Sequence, residues 1–257
     1  MKKTTELSVG REYRDIIVKM YDTILSNESD AIDRASRYLA KAAAKDKLIH
    51  VAGIGGHSAM AGMDIFYRAG GLVQINAIFP PGMNVISATP TMARLTGAAP
   101  FILNFHRVKR GDVLILVNYY GLNPASVDLG LEAKKRGIRL ITVNSHEYAR
   151  EVPKSFRWRH PSKQNINELA DVAIDNHVPL YDAALRRKGL KERFTSTATL
   201  ATIFTMNLLM SRTIERMVEA GAKPDIWVSN NVPGGDEHNN RYIEKYRSRV
   251  HHLYPVS

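Results

Sequence analysis

Leu48-Ile49-His50-Val51-Ala52-Gly53-Ile54-Gly55-Gly56-His57-Ser58 decides how the rest of the chain is read. A short apolar run ends in glycines, and a helix-compatible run from Ala59 to Tyr67 follows. The pattern is strand, tight turn, helix N-terminus. Backbone N–H groups left over at such a turn sit at the positive end of a helix dipole and favour an anion such as phosphate. Glycine lets the backbone approach a ligand where a Cβ would collide. His57 and Ser58 beside the glycines weigh the reading towards a ligand loop rather than a plain connection.

Two better-known phosphate loops fit poorly. A dinucleotide fingerprint needs glycine at its sixth position, and here Gly53-x-Gly55-x-x ends in Ser58. It also needs a carboxylate after the second strand to hold a ribose, and the next apolar run, Leu72 to Ala77, offers Asn76. The glycine-lysine-serine/threonine of a nucleotide-triphosphate loop is absent. A small phosphorylated ligand fits better than a nucleotide.

Working outward, residues 10–45 read as two helices. Tyr13, Ile16, Ile17, Met20, Tyr21, Ile24 and Leu25 share one face, a break at 26–30 can cap a second helix, and Ile32, Ala35, Leu39 and Ala43 point inward. From 48 to 144 strands alternate with helices: strand 48–52, helix 58–68, strand 72–78, helix 90–106, strand 113–117, helix 124–136 and strand 138–143. A fifth strand is expected within Leu169–Asp175, a long apolar helix over 195–220, and a charged helix over 236–252. Alternation of this kind predicts right-handed crossovers and an α/β fold with a parallel sheet. Ligands then bind beyond the C-terminal strand ends, at loops 53–58, 79–89, 118–123 and 144–150.

The chain has 257 residues, 44% of them hydrophobic, and no cysteine, which excludes disulfides, thiolate metal sites and a cysteine nucleophile. No apolar run approaches the roughly 20 residues of a membrane span. The N-terminus lacks an apolar leader core, so a cytoplasmic location is expected. The net charge of +11 is spread over several short runs without a nucleic-acid-binding motif. We read it as a solvated basic face, with nucleic acid disfavoured as a partner.

The Gly53–Ser58 loop, the Phe66-Tyr67-Arg68-Ala69-Gly70-Gly71-Leu72 stretch and Val232-Pro233-Gly234-Gly235-Asp236-Glu237-His238-Asn239 together resemble the sugar isomerase (SIS) domain superfamily. More narrowly they resemble a bacterial branch labelled as phosphoheptose isomerases. The resemblance spans about residues 10–250. It implies a single SIS domain: a three-layer αβα sandwich on a five-stranded parallel, flavodoxin-like sheet (core 46–222), with N-terminal helices (10–45) and a C-terminal helical arm (232–252). It further implies a phosphosugar ligand at the strand ends and a homodimer or homotetramer. A C-terminal helix in some members completes a neighbour's site.

The first glycine loop matches the family at Gly53, Gly55, Gly56 and Ser58. The family's phosphate cradle after the third sheet strand is rich in serine and threonine. Here the corresponding run is Asn118-Tyr119-Tyr120-Gly121-Leu122-Asn123, in which only Gly121 matches. Asn118 and Asn123 can donate, and Tyr120 is a candidate ligand contact, although the tyrosine pair could equally pack at an interface.

Aldose–ketose isomerisation needs a base to remove a proton α to a carbonyl and an acid or donor to open the ring and steady the enediolate. Neither a metal nor an organic cofactor is expected. Glu237 or Asp64 is the candidate base, and His238 or His57 the candidate acid. Asp236 and Glu237 also suit a helix start in their own right. His238 gains nothing as a cap there, and that end favours a neutral imidazole able to act as base or donor. Asp182 could bind sugar hydroxyls, cap a turn or pair with Arg186; His177 is a weaker candidate nearby. A phosphosugar-sensing domain without turnover is the alternative on the same fold.

Overall fold

The computed structural model describes residues 7–84, 86 and 92–253. Five strands, β1 (Ile49–Gly53), β2 (Ile75–Ile78), β3 (Val113–Val117), β4 (Arg139–Asn144) and β5 (Val172–Asp175), form one parallel sheet in the order β2-β1-β3-β4-β5. The order reverses direction at β1, where the chain crosses to β3 on the other side. A crevice at the C-terminal ends of strands flanking such a reversal is where open α/β sheets take ligands.

The strands read as continuous apolar runs because both faces of the sheet are covered. In β3, Val113, Ile115 and Val117 enter one core while Leu114 and Leu116 enter the other. The first core lies under α1 (Ser8–Asn27), α2 (Ser29–Ala43), α3 (Ser58–Ile65) and the long α8 (Ala198–Glu219). The second lies under α4 (Ala99–Phe105), α5 (Pro124–Lys135) and α7 (Ile166–Leu169). The short α6 (His146–Glu151) follows β4 and α9 (Gly235–Tyr246) lies in the arm. A third, smaller cluster joins Leu48 and Val73 to Trp227 and Leu253, which flank that arm, and to Ile243, Tyr246 and Val250 within it. No helix among the described residues is long and apolar enough to cross a membrane.

Several boundaries differ from those the sequence predicts. The helix expected over 90–106 is α4, starting at Ala99; residues 90 and 91 lie outside the described residues. Gly97, at φ +86°, breaks any earlier helix, and Pro100 suits the first turn of a new one. The Asp128 carboxylate accepts the Gly97 and Ala99 amides at 2.8 and 3.3 Å, a cap delivered from α5 that no local pattern announces. The strand expected from Leu72 begins at Ile75, because Leu72 pairs antiparallel with Ile226, in the segment between α8 and α9, instead. The fifth strand begins at Val172, since Ile166–Leu169 closes into a helical turn with an Asn165–Glu168 capping box. On α1, Leu25 is exposed, not buried, while Ile17, Met20 and Ile24 form the inner stripe.

The break between α1 and α2 falls on Glu28, which does not cap α2. Its buried carboxylate accepts the Asp175 amide at 3.0 Å and meets His177 Nε2 at 3.0 Å. The pair raises the His177 pKa, and the histidine and the Asp175 amide lower that of Glu28 against the opposing effect of burial. His177 is thus a tie between the helical layer and the end of β5.

Candidate functional site

The C-terminal strand ends open on a cavity of about 520 Å³, within the range of roughly 300–1,000 Å³ usual for small-molecule sites. Four loops wall it. Gly55, Gly56, His57 and Ser58 come from the β1–α3 turn, and Asn118, Tyr119, Tyr120 and Asn123 from the β3–α5 loop. Tyr148, Glu151, Phe156 and Trp158 follow β4, while Tyr181 and Asp182 follow β5. Ala93 and Arg94 enter from the segment ahead of α4, and Ser196 and Thr199 from the start of α8.

The glycines serve different ends. At Gly53 a Cβ would fall 2.5 Å from the Ser58 carbonyl oxygen, so this glycine lets α3 close onto β1 and does not line the cavity. Gly55 holds φ +91°, and a Cβ there would meet the Asn123 amide nitrogen at 2.6 Å. Gly121 also stands at positive φ, against the Asn144 side chain and behind the wall. The turn is less open than its sequence suggests. The Gly55 amide donates to the Met83 carbonyl and the Ser58 amide to the Gly55 carbonyl, each at 3.1 Å. The Gly56 and His57 amides remain without a hydrogen-bond partner among the described residues.

Ser58 is buried, and its hydroxyl oxygen accepts the Tyr119 amide at 3.0 Å, which leaves the hydroxyl proton free to donate. Asn118 is committed to the wall itself: its amide donates to the Ile54 carbonyl at 2.7 Å and its oxygen accepts the Gly121 amide at 2.7 Å. It shapes the loop around Gly121, so its side-chain oxygen is not available to a ligand. Asn123 stands at the start of α5 with its side chain outside the cap and facing the turn.

The tyrosines make the cavity aromatic. Tyr120 and Tyr148 stack with ring centroids 4.2 Å apart. Burial raises both phenol pKa values, with the Asp182 charge adding to the effect, and pushes Tyr119 up to about 12. All three therefore stay protonated donors at neutral pH. The Tyr119 hydroxyl is buried, and the Thr199 side chain beside it works against the rise. Asp182 caps α8 from a distance: its carboxylate accepts the Thr197 and Ala198 amides, each at 2.7 Å. Thr195-Ser196-Thr197 does not supply a side-chain cap of its own. Tyr181 and Asp182, at φ +77° and +61°, carry the backbone strain that aims this loop at the cavity.

Three predicted catalytic residues lie elsewhere in the chain. The Asp64 carboxylate accepts the Asn207 amide at 2.7 Å, between α3 and α8. His238 Nε2 lies 3.0 Å from the Ile226 carbonyl, so it carries the proton; Nδ1 then accepts from Arg241 at 3.1 Å. Asn239 bonds both the amide and the carbonyl of Val228, at 3.1 and 2.9 Å. The Gly234–Asn239 motif therefore clasps the chain at 226–228 and holds the arm in place. Glu237 is exposed in the first turn of α9, with Gly234, at φ +79°, as the helix cap. None of the three lines the cavity.

Arg94, Tyr148, Glu151, Phe156 and Trp158 line it without having been singled out in the sequence. The 145–165 stretch reads as irregular because its order comes from side-chain-to-backbone bonds that follow no periodic spacing. The buried Arg159 holds it, donating to the Pro153, Ala149 and Val152 carbonyls at 3.0, 2.6 and 2.6 Å and to Asn165 at 2.5 Å. A tryptophan inside a basic, polar strand-end loop was the one signal available there.

The family model described as "SIS domain" matches residues 12–145. A UPF0309 protein of Geobacillus thermodenitrificans is 31% identical over 242 residues, 93% of this chain and 95% of the relative. A UPF0309 protein of Caldanaerobacter subterraneus is 32% identical over 247 residues, 94% and 98% of the two chains. The solved phosphoheptose isomerase of Neisseria gonorrhoeae superposes with a TM-score of 0.50 at 14% identity, covering 84% of this chain and 100% of that one. At that identity the likeness speaks for the fold alone. With its β2-β1-β3-β4-β5 sheet and the glycine turn after β1, the chain belongs to the SIS-domain family and, within it, with the UPF0309 proteins.

Proposed function

We propose that the chain binds a phosphorylated sugar in the strand-end cavity and interconverts its aldose and ketose forms. The observation that carries the binding is the convergence of uncommitted donors on one aromatic-walled cavity. These are the Gly56 and His57 amides and the Ser58 hydroxyl proton. Neutral donors fixed by the fold suit the oxygens of a phosphate and of sugar hydroxyls. Stacked aromatic faces suit the C–H face of a sugar carbon chain.

For turnover, His57 is the one imidazole on the cavity wall among the described residues, and Glu151, ion-paired with Arg150 at 3.0 Å, is the wall carboxylate that does not cap a helix. We assign them the proton transfers between neighbouring sugar carbons, with the protonated tyrosines as donors to the enediolate oxygen. That assignment replaces Asp64, Glu237 and His238, whose side chains are engaged or exposed away from the cavity. The same three placements favour a second reading, a phosphosugar-sensing domain that binds without turnover. A thermal-shift screen of C4 to C7 sugar phosphates against the unphosphorylated sugars tests binding, since a ligand of the folded state raises the melting temperature. NMR of the stabilising sugar in deuterated water then separates the readings. Deuterium entering at the carbon next to the carbonyl, lost in His57→Ala, supports the isomerase; binding without exchange supports the sensor. Stabilisation by unphosphorylated sugars alone would sink both.

A further inference from the structure

The donors that converge on the cavity are neutral, and a phosphate monoester brings close to two negative charges. Glu151 and Asp182 add negative charge of their own. Among the described lining residues, Arg94 is the only lysine or arginine. We infer that Arg94, held against Trp158, is the cation that receives the phosphate in place of a hydroxyl-rich loop, and that the ligand carries a single phosphate. This rests on the phosphosugar reading of the same cavity.

The geometry supports it in three ways. The Arg94 guanidinium lies 3.7 Å from the centroid of the Trp158 ring. Stacking occupies the flat face of a guanidinium and leaves its N–H edge free, and that edge makes paired hydrogen bonds to phosphate oxygens. Arg94 makes neither an ion pair nor a hydrogen bond with any described residue. By contrast Arg212 is shared among Asp33, Glu215 and Glu219. Among the described residues the charge of Arg94 is thus unspent.

Its backbone is fixed on both sides. The Ala125 amide donates to the Ala93 carbonyl at 3.1 Å, and the Gly97 amide to Asp128 of α5 at 2.8 Å. Trp158 in turn sits next to Arg159, whose four hydrogen bonds lock the loop. An otherwise flexible side chain is therefore held at the cavity by a ring that the fold itself places. The bulk of Tyr119 and Tyr120 has closed the loop after β3 to a small hydroxyl cradle, and the charge comes from across the cavity. One cation also sets the stoichiometry: a second phosphate would find no second cation among the described lining residues and would face Glu151 and Asp182.

The test uses the intact chain and inorganic phosphate, titrated by calorimetry and by thermal shift at constant ionic strength, with Arg94→Gln, Trp158→Leu and Arg157→Gln. Arg157 also lies over this indole, 4.7 Å from its centroid, and does not line the cavity. Far-ultraviolet dichroism and the unliganded melting temperature confirm that each variant folds. Arg94→Gln should weaken phosphate by about tenfold or more, as expected for loss of a charged pair of hydrogen bonds. Trp158→Leu should weaken it less, and Arg157→Gln should leave it unchanged. Wild-type binding that survives Arg94→Gln, or that falls equally in Arg157→Gln, overturns the role of Arg94 and leaves the phosphosugar reading standing. A wild type that binds neither phosphate nor any sugar phosphate of the screen overturns the reading itself.

Discussion

Gly55 shows how much one residue can carry. Its φ of +91° and the Asn123 amide 2.6 Å from a would-be Cβ exclude every other side chain. Gly55→Ala should cost about 1–3 kcal/mol of stability, the usual range for strain at such a position, and should reshape the turn so that sugar-phosphate stabilisation is lost. Calorimetric unfolding with and without ligand measures both effects. Gly53 was equally visible in the sequence but serves packing. A glycine pattern records where a Cβ is forbidden, not whether a helix or a ligand forbids it. His238 shows the converse. Its chemistry pointed to catalysis, yet its ring closes a hydrogen bond to Ile226, a partner twelve residues away that no spacing rule names.

At the scale of elements, the most telling devices reach across the chain. Asp182 caps α8 across a separation of fifteen residues. Asp182→Ala should destabilise by about 1–2 kcal/mol through the lost cap and relax the strained loop at the cavity, seen as a lower melting temperature with weaker ligand binding. Asn239→Ala should cost about 2 kcal/mol, because it leaves the Val228 amide and carbonyl without partners. Limited proteolysis should then cut near 228–234, while phosphate affinity stays at the wild-type level. Hydrophobic periodicity found the strands and long helices because those depend on neighbours along the chain. The start of α4 and the late start of β2 depend on Asp128 and Ile226 meeting distant partners, and the order of the 145–165 loop on bonds from Arg159 to carbonyls at no periodic spacing. They were not legible for that reason.

For the whole molecule, acid is the expected weakness. His106 is buried beside His50, His251 and His252, with Asp112, Lys47 and Arg107 nearby. Burial first, and then the neighbouring imidazoles, lower its pKa from 6.5 to about 4. His252 is lowered for the same reasons. An unfolded chain therefore binds these protons before the folded one does. Their contribution to stability is complete above pH 6.5 and is lost as the pH falls towards 4. His177 works the other way: its raised pKa adds stability below its ordinary range, which fades as the pH rises through the folded value. Melting temperatures between pH 7 and 4 should fall, and His106→Leu should flatten that fall; an unchanged slope would remove His106 as its cause. The parallel sheet and the strand-end location of the cavity followed from alternation in the sequence, and the αβα layering from the resemblance to the SIS superfamily. The imidazole cluster did not, since its members come from residues 50, 106, 251 and 252.

The pairing of Leu72 with Ile226 also bears on how the chain is made. Synthesis delivers β2 some 150 residues before its companion, at roughly 5–20 residues per second. Through that interval the apolar surface of Leu48 and Val73 lacks the cover that Trp227, Ile243 and Tyr246 later provide. The sheet can assemble on the ribosome, but its flank closes only once residues 226–253 have left the exit tunnel. A nascent chain stalled at residue 224 should therefore be a client for chaperones that bind exposed apolar segments, and release of the remaining residues should end that dependence.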